Sequence, residues 1–261
     1  MLLIDNSLNC NKNMALEWQK AVVTKIVDET ANTKRFWIQV PEMEKFNFEP
    51  GQFVTLDLPI HEQKNKRWRS YSIASAPDGT NTIELVIVLN EKGLGTPHLF
   101  NDVVVGSELV LRGPQGKFTM PEHLDSDLYL ICTGTGIAPF RAMVHYINRF
   151  KVPHQQVHLI FGCRQFEDAL YEKELKDLEQ ELSGFHFHPC FSRETNISAG
   201  QYSGYVHDVY EKLINESRQE DGSIPPAYFY LCGWKAMVDG AKQKLQDLGY
   251  DKKAIHLELY G

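Results

Sequence analysis

The feature that most restricts how this chain can fold is a change of hydrophobic period near Pro121. Upstream, from Ala21 to about Phe118, apolar residues come in short runs rich in β-branched and aromatic side chains: "AVVTKIV", "KRFWIQV", "QFVTLDL", "RSYSIAS", "TIELVIV" and "SELVLRG". Gly, Pro and Asn punctuate them, and only "TPHLFNDV" has a helical pattern. Six such strands in close succession predict a small antiparallel β-barrel. Downstream, buried strands alternate with helices of ten or more residues: "DLYLICTG", "APFRAMVHYINRF", "QVHLIFG", "LYEKELKDLEQEL", "FHFHPCFS", "HDVYEKLINES", "AYFYLCG", "KAMVDGAKQKLQDL" and "AIHLELY". That alternation predicts βαβ units, here a five-stranded parallel sheet with helices on both faces. The expected organisation is a flexible terminus over 1–15, a barrel domain over 16–121 and an α/β domain over 122–261. Ligands of the second domain belong at the carboxyl ends of its strands.

Composition narrows the function classes. A chain of 261 residues, 43% of them apolar, is long enough for two cores. Its net charge of −7 offers no cationic footprint for nucleic acid. No stretch approaches the roughly 20 apolar residues of a membrane span, and the opening "MLLI" is too short for a signal peptide. The five cysteines are widely spaced, with no C-x-x-C pair, which argues against a zinc ribbon or an iron–sulfur loop and for reduced thiols. A soluble, cytoplasmic, monomeric protein with no nucleic-acid or membrane partner is expected.

Four segments carry candidate chemistry. "CTGTGIAPFR" follows a strand and opens a helix, with Gly134 and Gly136 in the turn and Pro139 in the first helical turn. Such a turn is either plain βα punctuation or a phosphate cradle in which Thr133 and Thr135 add hydroxyl donors. "YLCGWKAMV" sets Cys232 and Gly233 at the same sheet edge, where Cys232 read alone is a buried structural thiol. "HLELYG" puts Glu258 and Tyr260 on one face of a last strand, and nothing in composition separates this pair from an ordinary solvent-facing one. In "RWRSYSIAS", alternation places Arg67, Arg69, Tyr71 and Ile73 on one face and Trp68, Ser70, Ser72 and Ala74 on the other. Arg69 is either a snorkelling side chain beside a half-buried Tyr71, or a diphosphate ligand next to a ring that lies on a planar heterocycle. For Ser72 to reach the same ligand, the strand must turn or end there.

Taken together and in this order, these segments resemble the plant-type ferredoxin–NADP(+) reductase family, over about residues 18–261. "RSYS" resembles its Arg-x-Tyr-Ser flavin motif, "KGLGTPHL" its second flavin-phosphate segment, "GTGIAP" its nicotinamide-nucleotide turn, "FGCRQFEDALYEKEL" the strand and helix that follow, and "LCG" its nicotinamide pocket. The resemblance implies an FAD enzyme that takes hydride from NADPH and passes electrons singly to a separate ferredoxin or flavodoxin, with no fused iron–sulfur domain. It assigns FAD to Arg69, Ser70, Tyr71 and Ser72, to the backbone of Leu94, Gly95 and Thr96, and to Tyr260 as a lid. It assigns the nucleotide to Thr133, Gly134, Thr135, Gly136, Arg164, Ser192, Arg193, Tyr205, Cys232 and Gly233, with Ser192 and Arg193 on the 2′-phosphate and Tyr205 on the adenine. Arg164 is a second cation there, or the partner of Asp168. Ser72, Cys232, Glu258 and Tyr260 would line the hydride path. Two departures stand out: the hairpin from Ala76 to Asn90 has no aromatic for the flavin adenine, and Ser203 stands where plant-type members carry a phosphate-binding Lys. NADH use as an oxygenase reductase, and a non-catalytic electron-relay subunit, are the alternatives. "KNKRWR", with Lys64, Lys66 and Arg67, is either a docking patch for an acidic carrier or a solvated loop.

Overall fold

A computed structural model describes residues 17–260. The expected flexible segment 1–15 and the terminal Gly261 lie outside the described residues. The chain forms two compact units: one of residues up to Asp28 with Asn32–Thr119, the other of Met120 onward with Glu29–Ala31.

The first unit holds strands β1 (Gln19–Thr30), β2 (Thr33–Gln39), β3 (Phe53–Asp57), β4 (Trp68–Ser72), β5 (Thr82–Val88) and β6 (Glu108–Gln115), with helix α1 (Gly95–Asn101) between β5 and β6. They form one sheet in the order β4-β3-β6-β1-β2-β5. Its two outer strands meet where the Ala74 N–H donates to the Glu84 carbonyl at 2.8 Å, closing the barrel. Strand alternation sends Phe36 and Ile38 of β2, Val54 and Leu56 of β3, and Ile83, Leu85 and Ile87 of β5 into one core with Leu99 of α1. Each such side chain contributes roughly 1.5–3 kcal/mol of burial.

The second unit holds β7 (Asp127–Thr133), α2 (Ile137–Phe150), β8 (Val157–Cys163), α3 (Glu172–Glu181), β9 (Phe185–Phe191), β10 (Tyr202–Ser203), α4 (Val206–Glu216), β11 (Ala227–Trp234), α5 (Lys235–Asp247) and β12 (Ile255–Tyr260). The sheet is parallel, in the order β10-β9-β8-β7-β11-β12. It has six strands rather than the expected five. The extra one, β10, pairs Tyr202 with Cys190 and Ser203 with Phe191, and two residues are too few to show a period in sequence. One face is packed by Val206, Val209, Tyr210 and Ile214 of α4 and by Val238, Ala241 and Leu245 of α5 against Tyr129, Ile131, Ile160, Phe229 and Leu231. Right-handed crossovers put α2 and α3 on the other face. There Glu174 of α3 accepts from Arg141 Nε and His145 Nε2 of α2, both at 2.6 Å. Strand order reverses between β7 and β11, which brings the turn after Thr133 beside Cys232 and Gly233.

Candidate active site

In the barrel, β4 ends at Ser72, as a functional Ser72 requires, and Ser72 is buried. The Ser70 hydroxyl lies 3.0 Å from that of Thr55 on the other face of the strand, so only the Ser70 backbone is on the Arg69 side. Arg69 lies against Gly95: a Cβ there would sit 3.0 Å from Arg69 Cγ and 3.1 Å from Nε. Glycine at the start of α1 is what lets the side chain lie on the backbone. Arg69 Nη1 donates to the carbonyls of Lys66 (3.0 Å) and Trp68 (2.8 Å). Tyr71 packs on the core, and burial pushes its hydroxyl pKa up to about 12 against the opposing pull of Arg69. Leu94, just before α1, is exposed, and the Thr96 hydroxyl bridges both backbone groups of Asn90 (2.8 and 3.2 Å). The first N–H groups of a helix have no partner within it.

In the α/β unit every residue singled out from sequence falls at the carboxyl edge of the sheet. The turn after β7 is a 3₁₀ turn over Gly134–Gly136 that runs into α2. Gly134 has φ +53, with nothing within 4 Å of where a Cβ would be. A Cβ on Gly136 would stand 2.4 Å from the Cys232 carbonyl oxygen, and one on Gly233 2.5 Å from Thr133 Oγ1. These two glycines are therefore demanded by contact between β11 and the turn. Thr133 Oγ1 is buried and makes no hydrogen bond among the described residues.

Cys232 and Glu258 are in register on β11 and β12, Sγ to Oε2 3.9 Å. Burial pushes the Cys232 thiol well up, Glu258 and Cys132 push it further, and a hydrogen bond with Tyr260 opposes them. A neutral S–H beside a carboxylate results. Tyr260 ends β12, in register with Trp234.

At the ends of β8 and β9 the Ser192 N–H donates to the Cys163 carbonyl (3.0 Å) and the Arg193 N–H to the Arg164 carbonyl (2.9 Å). The two arginines so become neighbours, both exposed, and neither forms an ion pair among the described residues. The Asp168 carboxylate instead accepts from the Gln165 N–H at 3.1 Å. Tyr205, 66% exposed, precedes α4. Sequence reasoning missed Glu194, whose carboxylate accepts the Phe166 N–H at 3.2 Å. Its only signal is its place after Ser192–Arg193.

Residues 20–120 match the family of oxidoreductase FAD-binding domains, and residues 130–243 that of oxidoreductase NAD-binding domains. A ferredoxin–NADP reductase B of Sorangium cellulosum is 32% identical over 216 residues, 82% of this chain and 86% of that protein. The chain belongs to the ferredoxin reductase-like family of flavoproteins. The electron transfer component of an anthranilate 1,2-dioxygenase from Acinetobacter baylyi is 29% identical over 206 residues, 78% of this chain but 56% of its own length. The crystal structure of a ferredoxin NADP+ reductase from Neisseria gonorrhoeae, with bound FAD and NADP, superposes with a TM-score of 0.75 at 26% identity, covering 93% of this chain and 98% of that one. This family member is thus an FAD- and NAD(P)-dependent oxidoreductase. Its residues fit both groups. Arg69 is held at the glycine-opened start of α1 by carbonyls alone, and Gly134 is left-handed beside open space.

Among the described residues no helix is long and apolar enough to cross a membrane, and no group of three or more His, Cys, Asp or Glu is placed to hold a metal.

Proposed function

We propose that the protein takes hydride from NADPH and passes electrons singly to a separate ferredoxin or flavodoxin. Bound FAD supplies the change from two-electron to one-electron transfer. Arg69 binds its diphosphate with the amides of Leu94, Gly95 and Thr96 and the Ser70 backbone. Tyr71 lies along the ring system, the Ser72 hydroxyl bonds beside it, and Tyr260 serves as the lid. The Gly134–Gly136 turn, with Thr133, Thr135 and Gly233, takes the nucleotide diphosphate, and Tyr205 takes the adenine. Cys232 presents an uncharged thiol at the nicotinamide, while Glu258 holds or relays the proton that accompanies the electrons.

The observation that carries the coenzyme choice is the pairing of Arg164 with Arg193 beside Ser192, through the Arg193 N–H to Arg164 carbonyl bond. Two unpaired guanidinium groups match a 2′-phosphate and have no counterpart on a bare ribose. Of the "KNKRWR" cations, Arg67 is neutralised by Asp57 at 2.7 Å, whereas Lys64 and Lys66 are exposed and form no ion pair among the described residues. Those two lysines would steer an acidic carrier. A second reading, an NADH-using oxygenase reductase, is favoured by the anthranilate dioxygenase relative and by Ser203 in place of a lysine. The Cys232–Glu258 pair speaks for turnover over a passive relay.

Anaerobic titration of the purified protein, followed by flavin absorbance, tests the reading. NADPH should bleach it much faster than NADH, and the reduced protein should then reduce a ferredoxin or flavodoxin one electron at a time. Faster bleaching by NADH would remove the 2′-phosphate site and leave the oxygenase reading. A yellow protein that neither nucleotide reduces would end both.

A further inference from the structure

Glu194 is set where a carboxylate works against the ligand proposed for Arg164 and Arg193. It follows Arg193 directly, and with Asp168 and Glu172 it is one of the carboxylates that push the neighbouring Cys163 thiol up, burial being the larger cause. A negative charge this close to a phosphate dianion weakens its binding.

The same residue joins three segments. Its Oε1 accepts the Phe166 N–H at 3.2 Å, from the β8–α3 loop. Its carbonyl accepts the Ser203 hydroxyl at 2.6 Å, from β10. Between these anchors lies the Arg193 N–H to Arg164 carbonyl bond at 2.9 Å. Beyond them the loop also reaches α3 itself, through Gln201 Nε2 on the Glu172 carboxylate at 2.9 Å. At the same end the Phe166 ring packs edge-on against Phe191, centroids 4.7 Å apart, so the Glu194 bond adds a polar tie, beyond the end of the strand, to an apolar one.

We propose that Glu194 is a positioning residue for the coenzyme 2′-phosphate: it straps the β8–α3 loop to the β9–β10 loop and so keeps Arg164 and Arg193 side by side. Charge and geometry then act with opposite sign, and the two can be separated by substitution. The inference rests on the NADPH reading.

The test measures binding of 2′,5′-ADP and of 5′-ADP to the FAD-loaded protein by calorimetry, for wild type, Glu194→Gln and Glu194→Ala. Glutamine keeps an oxygen for the Phe166 N–H and loses the charge, so it should bind 2′,5′-ADP at least as tightly as wild type. Alanine loses the strap as well and should bind about fivefold more weakly than glutamine, the worth of one net hydrogen bond. Affinity for 5′-ADP should be the same in all three. Amide exchange at Phe166 should quicken in the alanine variant alone. Equal 2′,5′-ADP affinity in the alanine and glutamine variants, or a parallel loss of 5′-ADP, would overturn the strap while leaving NADPH use intact. A wild type that does not prefer 2′,5′-ADP to 5′-ADP would overturn the coenzyme reading and the strap with it.

Discussion

Acid should destabilise the α/β unit through a row of histidines on its sheet. Phe229, Tyr129, His158 and His186 stack across β11, β7, β8 and β9 with ring centroids 5.0, 4.8 and 5.1 Å apart. His158 Nδ1 lies 3.1 Å from His188 Nε2, and His188 Nδ1 lies 3.2 Å from the Tyr202 hydroxyl. One proton serves the bond between the two imidazoles, so both cannot charge without losing it. Burial is the main reason that His158 falls to about 4 and His188 to about 3, and mutual repulsion with His186 adds to it. The folded pKa lies below the ordinary 6.5, so the stabilisation is whole above pH 6.5 and is lost as pH falls toward 4 and then 3. At pH 5 the unfolded imidazole has taken up nearly a full proton and the native one almost none. This amounts to roughly 2 kcal/mol per histidine, with ~4 kcal/mol for the pair as an upper bound because the two are coupled. His158→Phe keeps a ring in the stack and removes a titrating group. It should cost ~1 kcal/mol at pH 7 for the lost hydrogen bond, yet shrink the loss between pH 7 and pH 5 by about 2 kcal/mol. Urea unfolding followed by far-UV ellipticity reads this directly, because the α/β unit holds four of the five α-helices among the described residues. With a slope of roughly 2 kcal/mol per molar urea, the pH-dependent shift in midpoint should differ by about 1 M. Wild type and variant losing the same stability between pH 7 and pH 5 would refute the reasoning.

Three further outcomes are expected. Gly136→Ala should weaken 2′,5′-ADP binding by an order of magnitude and destabilise by about 1–3 kcal/mol, since its Cβ would stand 2.4 Å from the Cys232 carbonyl. Gly134→Ala meets open space at φ +53 and should cost only ~1 kcal/mol in the same urea titration. Glu258→Gln should slow flavin reduction by NADPH by ~10²-fold in stopped flow, with the FAD content of the purified protein unchanged. A variant that loses FAD in proportion to rate would instead make Glu258 a binding residue.

Periodicity made most of these elements legible. All six barrel strands and the short helix at "TPHLFNDV" form where the runs stand, because an alternating pattern can bury only one face of a strand. Arg69 and Tyr71 are legible as a pair for the same reason. What depends on register was not legible from the residues alone, and only the family resemblance put Cys232 with Glu258 and Arg164 with Arg193. Nothing local brings His158 to His188, Cys232 to Glu258 or Arg164 to Arg193, because each pair is made by neighbouring strands whose offset is set by the whole sheet. The contact of Arg69 with Gly95 likewise depends on where the β5–α1 connection lands. β10 escaped for a plainer reason: a two-residue strand exists only through its pairing with β9.

The two ends of the proposed nucleotide site are built by different physics, and this bears on how they can change. At β7, β8 and β11 the backbone is so close that a Cβ is excluded: Gly136 meets the Cys232 carbonyl, Gly233 meets Thr133, and a Cβ on Gly162 would be 2.7 Å from Val206 Cγ1. The diphosphate turn and Cys232 therefore move as one packed body, and substitutions there disturb affinity and chemistry together. Up to Tyr202, whose ring packs on the core beside His188, the 192–203 loop is held by polar contacts from Glu194, Ser203 and Gln201. Each is worth about 1 kcal/mol and is replaceable singly. On the proposed NADPH reading, coenzyme choice is therefore altered more readily at the loop than at the turn, where each added Cβ meets backbone or a packed side chain. In one family that includes both a ferredoxin–NADP reductase and a dioxygenase electron transfer component, this loop is where the proposed 2′-phosphate preference would change.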